Sequence, residues 1–372
     1  WYGYDPFDIL ESKFHSLVRK HEFSRKFFEK GVYELFPRTS RFILGINKNI
    51  NAKAMALLAQ SFLFLYKLYN DNQYLEKSKE CLNWLLENIS PNYQGACWGY
   101  PFNWQSRIFI PKSTPSSVVT SIAMDALLTA YDICDENKYL ETAQSCIIFF
   151  LNDLNIDKQD ERHFCFSYTP LDNFHVHNAN LFVAKQLIRI GHLTKNEEYN
   201  RIGEKSLQYT LSHQNGDGSW YYWGPPDKLL YNIDNFHTGY VLRAIYSIYL
   251  TTKEERLLHF IKKGLNYYLK NLFQQDVIPK LWYDGDYPID IHCCAESILC
   301  LTLLSDHFPD CLGKAISVAK WTIKNMQHKR GFFYYRIYCY FTNKLPFIRW
   351  GQAWMLLALS NLRLKLKEIE SY

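Results

Sequence analysis

The amino-acid sequence predicts an all-α fold, an (α/α)6 barrel or toroid of six helical hairpins joined by short aromatic loops that resemble β-hairpins. The first observation is a repeat: Asp-Asn-Phe-His occupies residues 172–175 and again residues 234–237, 62 residues later. Similar helix starts fall near residues 51, 115, 174, 236, 291 and 348, with a mean spacing of about 59 residues. Six units of such regularity indicate a repeat architecture.

The second observation is that each repeat contains two kinds of helix. Stretches such as 54–69 and 117–130 are apolar nearly all round, as is typical of helices buried on both sides. Each is followed by an amphipathic stretch, for example the one in which Leu75, Leu82 and Leu85 share a face. Six buried inner helices, each paired with an amphipathic outer helix, predict a ring.

The third observation is that glycine and aromatic residues recur between the helical pairs. Aromatic residues make up 17% of the chain, and many lie in the connections 95–104, 163–168, 216–223, 281–285 and 331–335. Rings bounded by glycine favour short hairpins. Because these connections lie at one end of the ring, the sequence predicts an aromatic-lined site there.

The whole chain, residues 1–372, is interpreted as one toroid. The last inner helix, at about 350–364, is followed by too few residues for an outer partner. The N-terminal helices, at about 5–30, carry helical spacing at Ile9, Phe14 and Leu17, and we expect them to close the ring against that last helix.

Composition excludes several classes of partner. The net charge is only +5, without a long run of basic residues, which argues against nucleic-acid binding. We find no uninterrupted apolar run of the roughly 18 residues that a membrane span needs.

Ten scattered cysteines without a C-x-x-C pair favour reduced thiols in a cytoplasmic protein. No cofactor is implied, and the oligomeric state is open.

The starts of the inner helices bring acid and imidazole groups together. All six starts face one opening of the ring, which we call the mouth. An aspartate cap alone would explain Asp172 and Asp234, but a histidine in the first turn is disfavoured as an imidazolium and suits a neutral base. The candidate catalytic residues are His237 and Asp234, with His175, Asp290 and His292. Adjacent helical residues diverge by about 100°, so His292 and the two cysteines after it do not predict a metal site.

Other residues at the mouth are candidates for substrate binding. Arg349, with Gln352 one turn later, suits a ligand carboxylate or phosphate, or an internal pair with Glu296 or Asp290. Glu296 needs a partner or a cavity, because a lone carboxylate on an apolar helix is costly. Tryptophan rings can stack on sugar faces or pack as core. The remaining candidates are Trp98, Trp220 and Trp282, Asn103, Arg107 and Asp217 in the same loops, and Asp172 and His177 at the mouth.

Two short segments resemble known families. Residues 214–220, Gln-Asn-Gly-Asp-Gly-Ser-Trp, are similar to the Q-x-x-D-G-S-W repeat of squalene and terpene cyclases, where the motif connects helices; their acidic D-x-D-D motif is absent here. Residues 349–355, Arg-Trp-Gly-Gln-Ala-Trp-Met, resemble the R-G-Q-A-W segment of unsaturated glucuronyl hydrolases, with Trp350 inserted. The second resemblance implies that this segment lines a sugar site.

A third resemblance covers nearly all of the chain. Residues 1–8, 97–107 and 287–292, together with the repeated tetrad, are similar to toroid proteins encoded in bacterial capsule and lipopolysaccharide biosynthesis loci. This resemblance implies a role in surface glycan production.

The leading hypothesis is therefore a carbohydrate-active enzyme of surface polysaccharide metabolism that acts on an acidic or amino-sugar glycan. Its reaction would be hydrolysis, β-elimination or epimerisation, with His237 and a second histidine as acid and base. An inverting hydrolase would need two carboxyl groups about 6.5–9.5 Å apart. The alternatives are a non-catalytic glycan-binding or scaffold protein of polysaccharide assembly, and a toroid that holds an isoprenoid.

Overall fold

In the computed structural model, which describes residues 1–13, 33–227 and 232–370, the chain forms a ring of helical hairpins. The inner helices are α1 (Ala52–Tyr69), α3 (Ser117–Cys134), α5 (His177–Thr194), α7 (Asn235–Thr252), α9 (Ile291–Leu304) and α11 (Ala353–Glu370). The outer helices are α2 (Asn72–Glu87), α4 (Asn137–Asn152), α6 (Glu197–Ser212), α8 (Arg256–Asn271) and α10 (Asp310–Met326). Odd numbers thus denote inner helices and even numbers outer ones.

The helix contacts confirm the predicted all-α toroid. Each of the first five inner helices packs against the next inner helix and against the outer helix that follows it, and α11 packs against α1, which closes the inner ring. Two helices begin later than the sequence predicts. Residues 172–176 form a loop before α5, and a π-helical turn at Ile348–Gln352 precedes α11.

The N-terminal segment crosses the mouth. Residues 1–13 include a 3-10 helix at Asp8–Glu11, and Gly3 forms a backbone bridge with Asn49 just before α1. A Cβ atom on Gly3 would lie 2.9 Å from the side chain of Ile348, so the N-terminal segment fits closely against the start of the last unit. The next described elements along the chain are a helical turn at Tyr33–Leu35 and a helix at Pro37–Ile43. Residues 14–30, predicted to complete the ring, lie outside the described residues, so that closure stays a prediction.

Short antiparallel strands connect several of the units at the mouth. The paired strands are β1 (Trp104–Gln105) with β2 (Phe109–Ile110), β3 (Ile156–Lys158) with β4 (Phe164–Phe166), β5 (Phe273–Gln274) with β6 (Ile278–Pro279), and β7 (Ile289–Asp290), β8 (Arg336–Ile337) and β9 (Thr342–Asn343) in one sheet. The predicted hairpins therefore exist in most units, although the pairing often lies beside the ring-rich stretch. At residues 216–223, a compact turn replaces the hairpin.

That turn is held by side chains of the Gln-x-x-Asp-Gly-Ser-Trp segment. The Gln214 amide nitrogen donates to the carbonyls of Gly218 and of Phe260 on α8, both at 3.0 Å. The Trp220 indole donates to the Thr210 carbonyl on α6 at 2.9 Å. Gly218 has a φ of +97°, a region that L-residues rarely adopt. The segment thus connects two neighbouring outer helices.

We predict that Gln214→Ala lowers the free energy of unfolding by about 1–3 kcal/mol, because it removes two part-buried hydrogen bonds, one of which joins the turn to α8. Urea denaturation followed by circular dichroism measures the change. Gln327→Ala is the matched control: its amide donates only to Gly331 within its own exposed turn. We expect a smaller loss there, and equal losses in both variants would contradict the bridging role of Gln214.

Two further features concern the membrane span and the state of the cysteines. Helix α3 is long and apolar enough by composition to cross a membrane, but 67% of that window is buried inside the ring, as befits an inner helix. All ten cysteines are free, and eight of them are buried.

Candidate functional site

An aspartate–histidine pair lies at the start of α7, on the mouth side of the ring. Asp234 caps the helix by accepting the His237 backbone N–H through Oδ1 at 2.8 Å. Its other oxygen, Oδ2, lies 2.5 Å from His237 Nδ1. The same carboxylate therefore ends the helix and orients the imidazole, as the repeated tetrad predicted for this position.

The geometry leaves Nε2 of His237 as the reactive nitrogen. A carboxylate accepts the hydrogen of Nδ1, which places the lone pair of a neutral imidazole on Nε2. The imidazole lies against Phe236 and Tyr222, at ring-centroid distances of 4.1 and 4.4 Å. The His237 side chain is 24% exposed and, with Asp234 and Tyr222, lines a narrow cavity of about 10 Å³. This arrangement can accept or deliver a proton.

A second imidazole lies beneath this pair, on α9. His292 is buried; its Nδ1 lies 3.2 Å from the Trp350 carbonyl and its Nε2 lies 2.5 Å from the Tyr240 hydroxyl. Because the carbonyl can only accept, Nδ1 donates, and Nε2 accepts from Tyr240. Burial, followed by the charge of Lys53, holds the pKa of His292 well below its usual value. The ring of Phe236 contacts both His237 and His292.

His175, the counterpart of His237 in the preceding repeat, is placed differently. Its Nδ1 lies 3.0 Å from Asp227 and its Nε2 lies 2.8 Å from Asp157. Because both nitrogens are held by carboxylates, His175 cannot take a proton from a ligand in this arrangement. Asp227 also binds Arg107 at 2.8 Å, so these four side chains form one rim network.

The other predicted carboxylates are occupied by protein groups. Asp172 accepts from the backbone of Tyr168, Thr169 and Phe174 and shapes the loop before α5, so it is not the cap that its sequence position suggested. Asp290 caps α9 but is also bound by Arg336 and by the Trp350 indole. Glu296 is fully buried and held by both ends of the Arg243 fork, at 2.6 and 2.9 Å.

Arg349 has an internal partner, but not one of those expected. Its guanidinium binds both oxygens of Asp5 at 2.5 and 2.6 Å, and both residues are buried. The fork that the sequence assigned to a ligand, or to Glu296 or Asp290, is filled by the N-terminal segment. Gln352 binds the backbone N–H and carbonyl of Phe333, which ties the last loop to the start of α11.

The predicted loop residues divide between core and rim. Trp98 is buried with its indole bonded to the Leu85 carbonyl, and Trp220 is buried as well. Asn103 binds Glu11 of the N-terminal segment. Trp282 is 37% exposed and Asp217 is exposed, so these two remain available at the surface.

Two groups at the mouth, Tyr240 and Asp5, escape sequence reasoning, and a third, Lys53, lies there without a role assigned from the sequence. Tyr240 follows His237 by one turn and could have been found by helical spacing. Asp5 could not, because it is 344 residues from Arg349. Lys53 lies buried at the start of α1, 5.3 Å from the Trp354 ring centroid, and no ion pair joins it to the described residues. Burial, then the charge of Arg349, lowers the Lys53 pKa well below its usual value.

His177, on the first turn of α5, lines the same cavity as His237. Burial, followed by the charges of His213 and His175, lowers the pKa of His177 to about 3. Its Nδ1 lies 3.3 Å from the Thr210 hydroxyl. His177 is therefore a neutral wall of the cavity at physiological pH.

The His177 pKa predicts an acid sensitivity of the fold. Below pH 6.5 the unfolded chain binds a proton at His177 that the folded chain refuses until pH about 3. Stability is thus fully present above pH 6.5 and falls by about 1.4 kcal/mol per pH unit from this group as the pH drops. Urea titrations from pH 7 to 4 should show a shallower loss for His177→Phe than for the wild type. Identical slopes would disprove the assignment.

The described residues contain no group of three or more histidine, cysteine, aspartate or glutamate side chains that could hold a metal ion. His292 uses both ring nitrogens for Trp350 and Tyr240 rather than for the cysteines that follow it.

Comparisons with known proteins define the fold class. No family model matches the sequence, and no curated protein matches it. Cellobiose 2-epimerase from Bacillus thermoamylovorans matches with a TM-score of 0.69 and 10% identity over 85% of this chain and 88% of that one. A GH76 alpha-mannanase from Bacteroides thetaiotaomicron gives 0.65 and 13% over 87% and 88%.

An unsaturated glucuronyl hydrolase from Bacillus sp. GL1 gives a TM-score of 0.62 and 12% identity over 84% of this chain and 86% of that one. Identities this low show that the chain shares the (α/α)6 toroid of these proteins.

Proposed function

We propose that the protein is a carbohydrate-active enzyme that moves a proton to and from a sugar carbon, as an epimerase or isomerase does. The observation that carries the proposal is the Asp234–His237 pair, in which the carboxylate holds Nδ1 and the imidazole lines the cavity at the mouth. A non-catalytic glycan-binding protein would not need an imidazole oriented by a buried carboxylate. This oriented base therefore favours an enzyme over a scaffold.

The chemistry follows from the groups that remain available. Removal of a proton from the carbon beside a sugar carbonyl by His237 Nε2 leaves an enediolate, and return of a proton to the opposite face gives the epimer. The Tyr240 hydroxyl, whose ring lies 5.9 Å from that of His237, is the donor for the return of the proton, a step in which it must leave its hydrogen bond to His292.

Hydrolysis has less support at this mouth. It requires two carboxyl groups that reach the substrate, whereas Asp172, Asp290 and Glu296 are each engaged by loop backbone or by arginine. A glycosidase would have to release one of these partners. The proton-transfer reaction leaves these ion pairs intact and requires only that Tyr240 leave His292.

The names of similar structures support the same class of substrate. They include cellobiose 2-epimerases, a sugar epimerase and a D-mannose isomerase. We further propose an acidic or amino-sugar glycan of surface polysaccharide metabolism as the substrate and the cytoplasm as the location. The resemblance of residues 97–107 and 287–292 to toroid proteins of surface polysaccharide loci supports the substrate, and the ten free cysteines support the location.

Incubation with a panel of sugars in D₂O tests the proposal. The panel contains glucose, mannose, N-acetylglucosamine, glucuronic acid, cellobiose and mannobiose, and ¹H NMR follows loss of the exchanging C–H signal. We expect deuterium uptake together with a new epimer or keto-sugar. Formation of reducing or unsaturated ends without deuterium uptake would contradict the proposal and favour cleavage.

A further inference from the structure

A groove lined by three tyrosines lies beside the mouth, between the loop that follows α6 and the loop that follows α8. We call it the tyrosine groove; Tyr221, Tyr267 and Tyr283 line it, with Asn215 and Asp217 at its edge. Its volume is about 310 Å³, and it is open to solvent. It is therefore roomier than the narrow cavity at His237.

The groove presents one exposed ring and one hydroxyl group on an otherwise buried side chain. Tyr283 is 45% exposed, so the face of its ring is available for stacking. Tyr267 is only 8% exposed and lines the groove. No protein hydrogen bond joins its hydroxyl to the described residues, so this phenol is suited to bind a ligand hydroxyl.

Asp217 supplies an acceptor to the same space. Its Oδ1 accepts from the backbone and the hydroxyl of Ser219, which fixes the carboxylate at the groove edge. Within the described residues no cation pairs with it. Burial, followed by the charges of Asp217, Tyr283 and Tyr221, raises the pKa of Tyr267 to about 12, which agrees with the convergence of these oxygen atoms.

The groove adjoins the candidate catalytic cavity. Tyr221 lines both the groove and the cavity that contains His237. The backbone of Asp234 also forms a bridge with Trp282, the residue before Tyr283. A chain of linked sugars could therefore place one unit at His237 and the next in the groove.

We propose that the tyrosine groove binds a second pyranose ring, so that the substrate is an oligosaccharide rather than a free monosaccharide. This inference rests on the proposed function at His237. The apolar C–H face of the sugar stacks on Tyr283, while its hydroxyl groups bind the Tyr267 hydroxyl and Asp217. The groove thus sets the length of the substrate, and His237 acts on the unit at the mouth.

Calorimetric titration of the His237→Ala protein with cellobiose, mannobiose and a heparin disaccharide tests this binding without turnover. We expect at least one disaccharide to bind, and Tyr283→Ala added to that background to weaken its binding by about tenfold. Glucose and mannose should show no such difference. Tyr340→Ala is the matched control, because Tyr340 is 96% exposed and lies away from the groove.

The outcomes separate the two proposals. If disaccharide binding depends on Tyr283 but the wild type has no epimerase or isomerase activity, the groove proposal is supported and the proposed reaction is wrong. If the wild type turns sugars over but the Tyr283→Ala and Tyr340→Ala variants bind disaccharides equally, the proposed reaction stands and the groove proposal fails. Failure of all three disaccharides to bind also overturns the groove proposal. So does binding of choline alone, because tyrosines around a carboxylate also suit a quaternary ammonium ion.

Discussion

Replacement of His237 by alanine is expected to reduce turnover by about 10²–10⁴-fold on any sugar that the wild type converts, with little change in sugar binding. Among the described residues that line the mouth cavity, this imidazole is the one held by a carboxylate, and alanine keeps the helix start intact. Deuterium incorporation measured by NMR gives the rate, and calorimetry gives the affinity. Unchanged turnover in His237→Ala would remove His237 from the mechanism.

A companion variant separates orientation from stability. Asp234→Asn keeps an oxygen that can accept the His237 N–H as a cap, but an amide does not favour the tautomer that a carboxylate selects. We expect turnover to fall while the melting temperature changes little. Asp71→Asn is the matched control, since Asp71 caps α2 through the Gln73 N–H and contacts no imidazole. Equal activities of the two variants would argue that Asp234 only caps its helix.

The second large effect concerns stability. Asp5→Ala is expected to lower the free energy of unfolding by about 3–5 kcal/mol, because it leaves the buried Arg349 guanidinium without its carboxylate partner. Urea denaturation followed by tryptophan fluorescence measures the change.

Two controls show whether the loss comes from an unpaired charge. The double variant Asp5→Leu with Arg349→Met should recover much of the stability, because replacing both members of a buried pair is often neutral. Glu370→Ala removes the partner of Arg363 in an exposed pair, and we expect a change below about 1 kcal/mol. An Asp5→Ala protein as stable as wild type would show that the N-terminal segment does not support the mouth.

Much of the site could be predicted from the sequence, and the predictions that failed did so for one physical reason. The tetrad predicted the Asp234–His237 pair because an aspartate cap and a histidine three residues later lie within one helical turn. The same tetrad at 172–175 predicted a second pair of this kind, which does not form. Helix α5 begins later there, and His175 binds Asp157 and Asp227 from other segments. Local spacing shows which groups are close in the chain but not which distant groups reach them.

The sequence by itself determined the toroid, because a repeat of about 59 residues with alternating buried and amphipathic helices has few ways to bury its apolar faces. It also determined which helix starts carry acid and imidazole. Only the tertiary structure decided which of those groups stay available to a ligand. Asp5 neutralises Arg349, Arg336 holds Asp290 and Arg243 holds Glu296, whereas His237 is left facing the cavity. A buried charge must find an opposite charge, and that partner is set by how loops distant in sequence pack across the mouth.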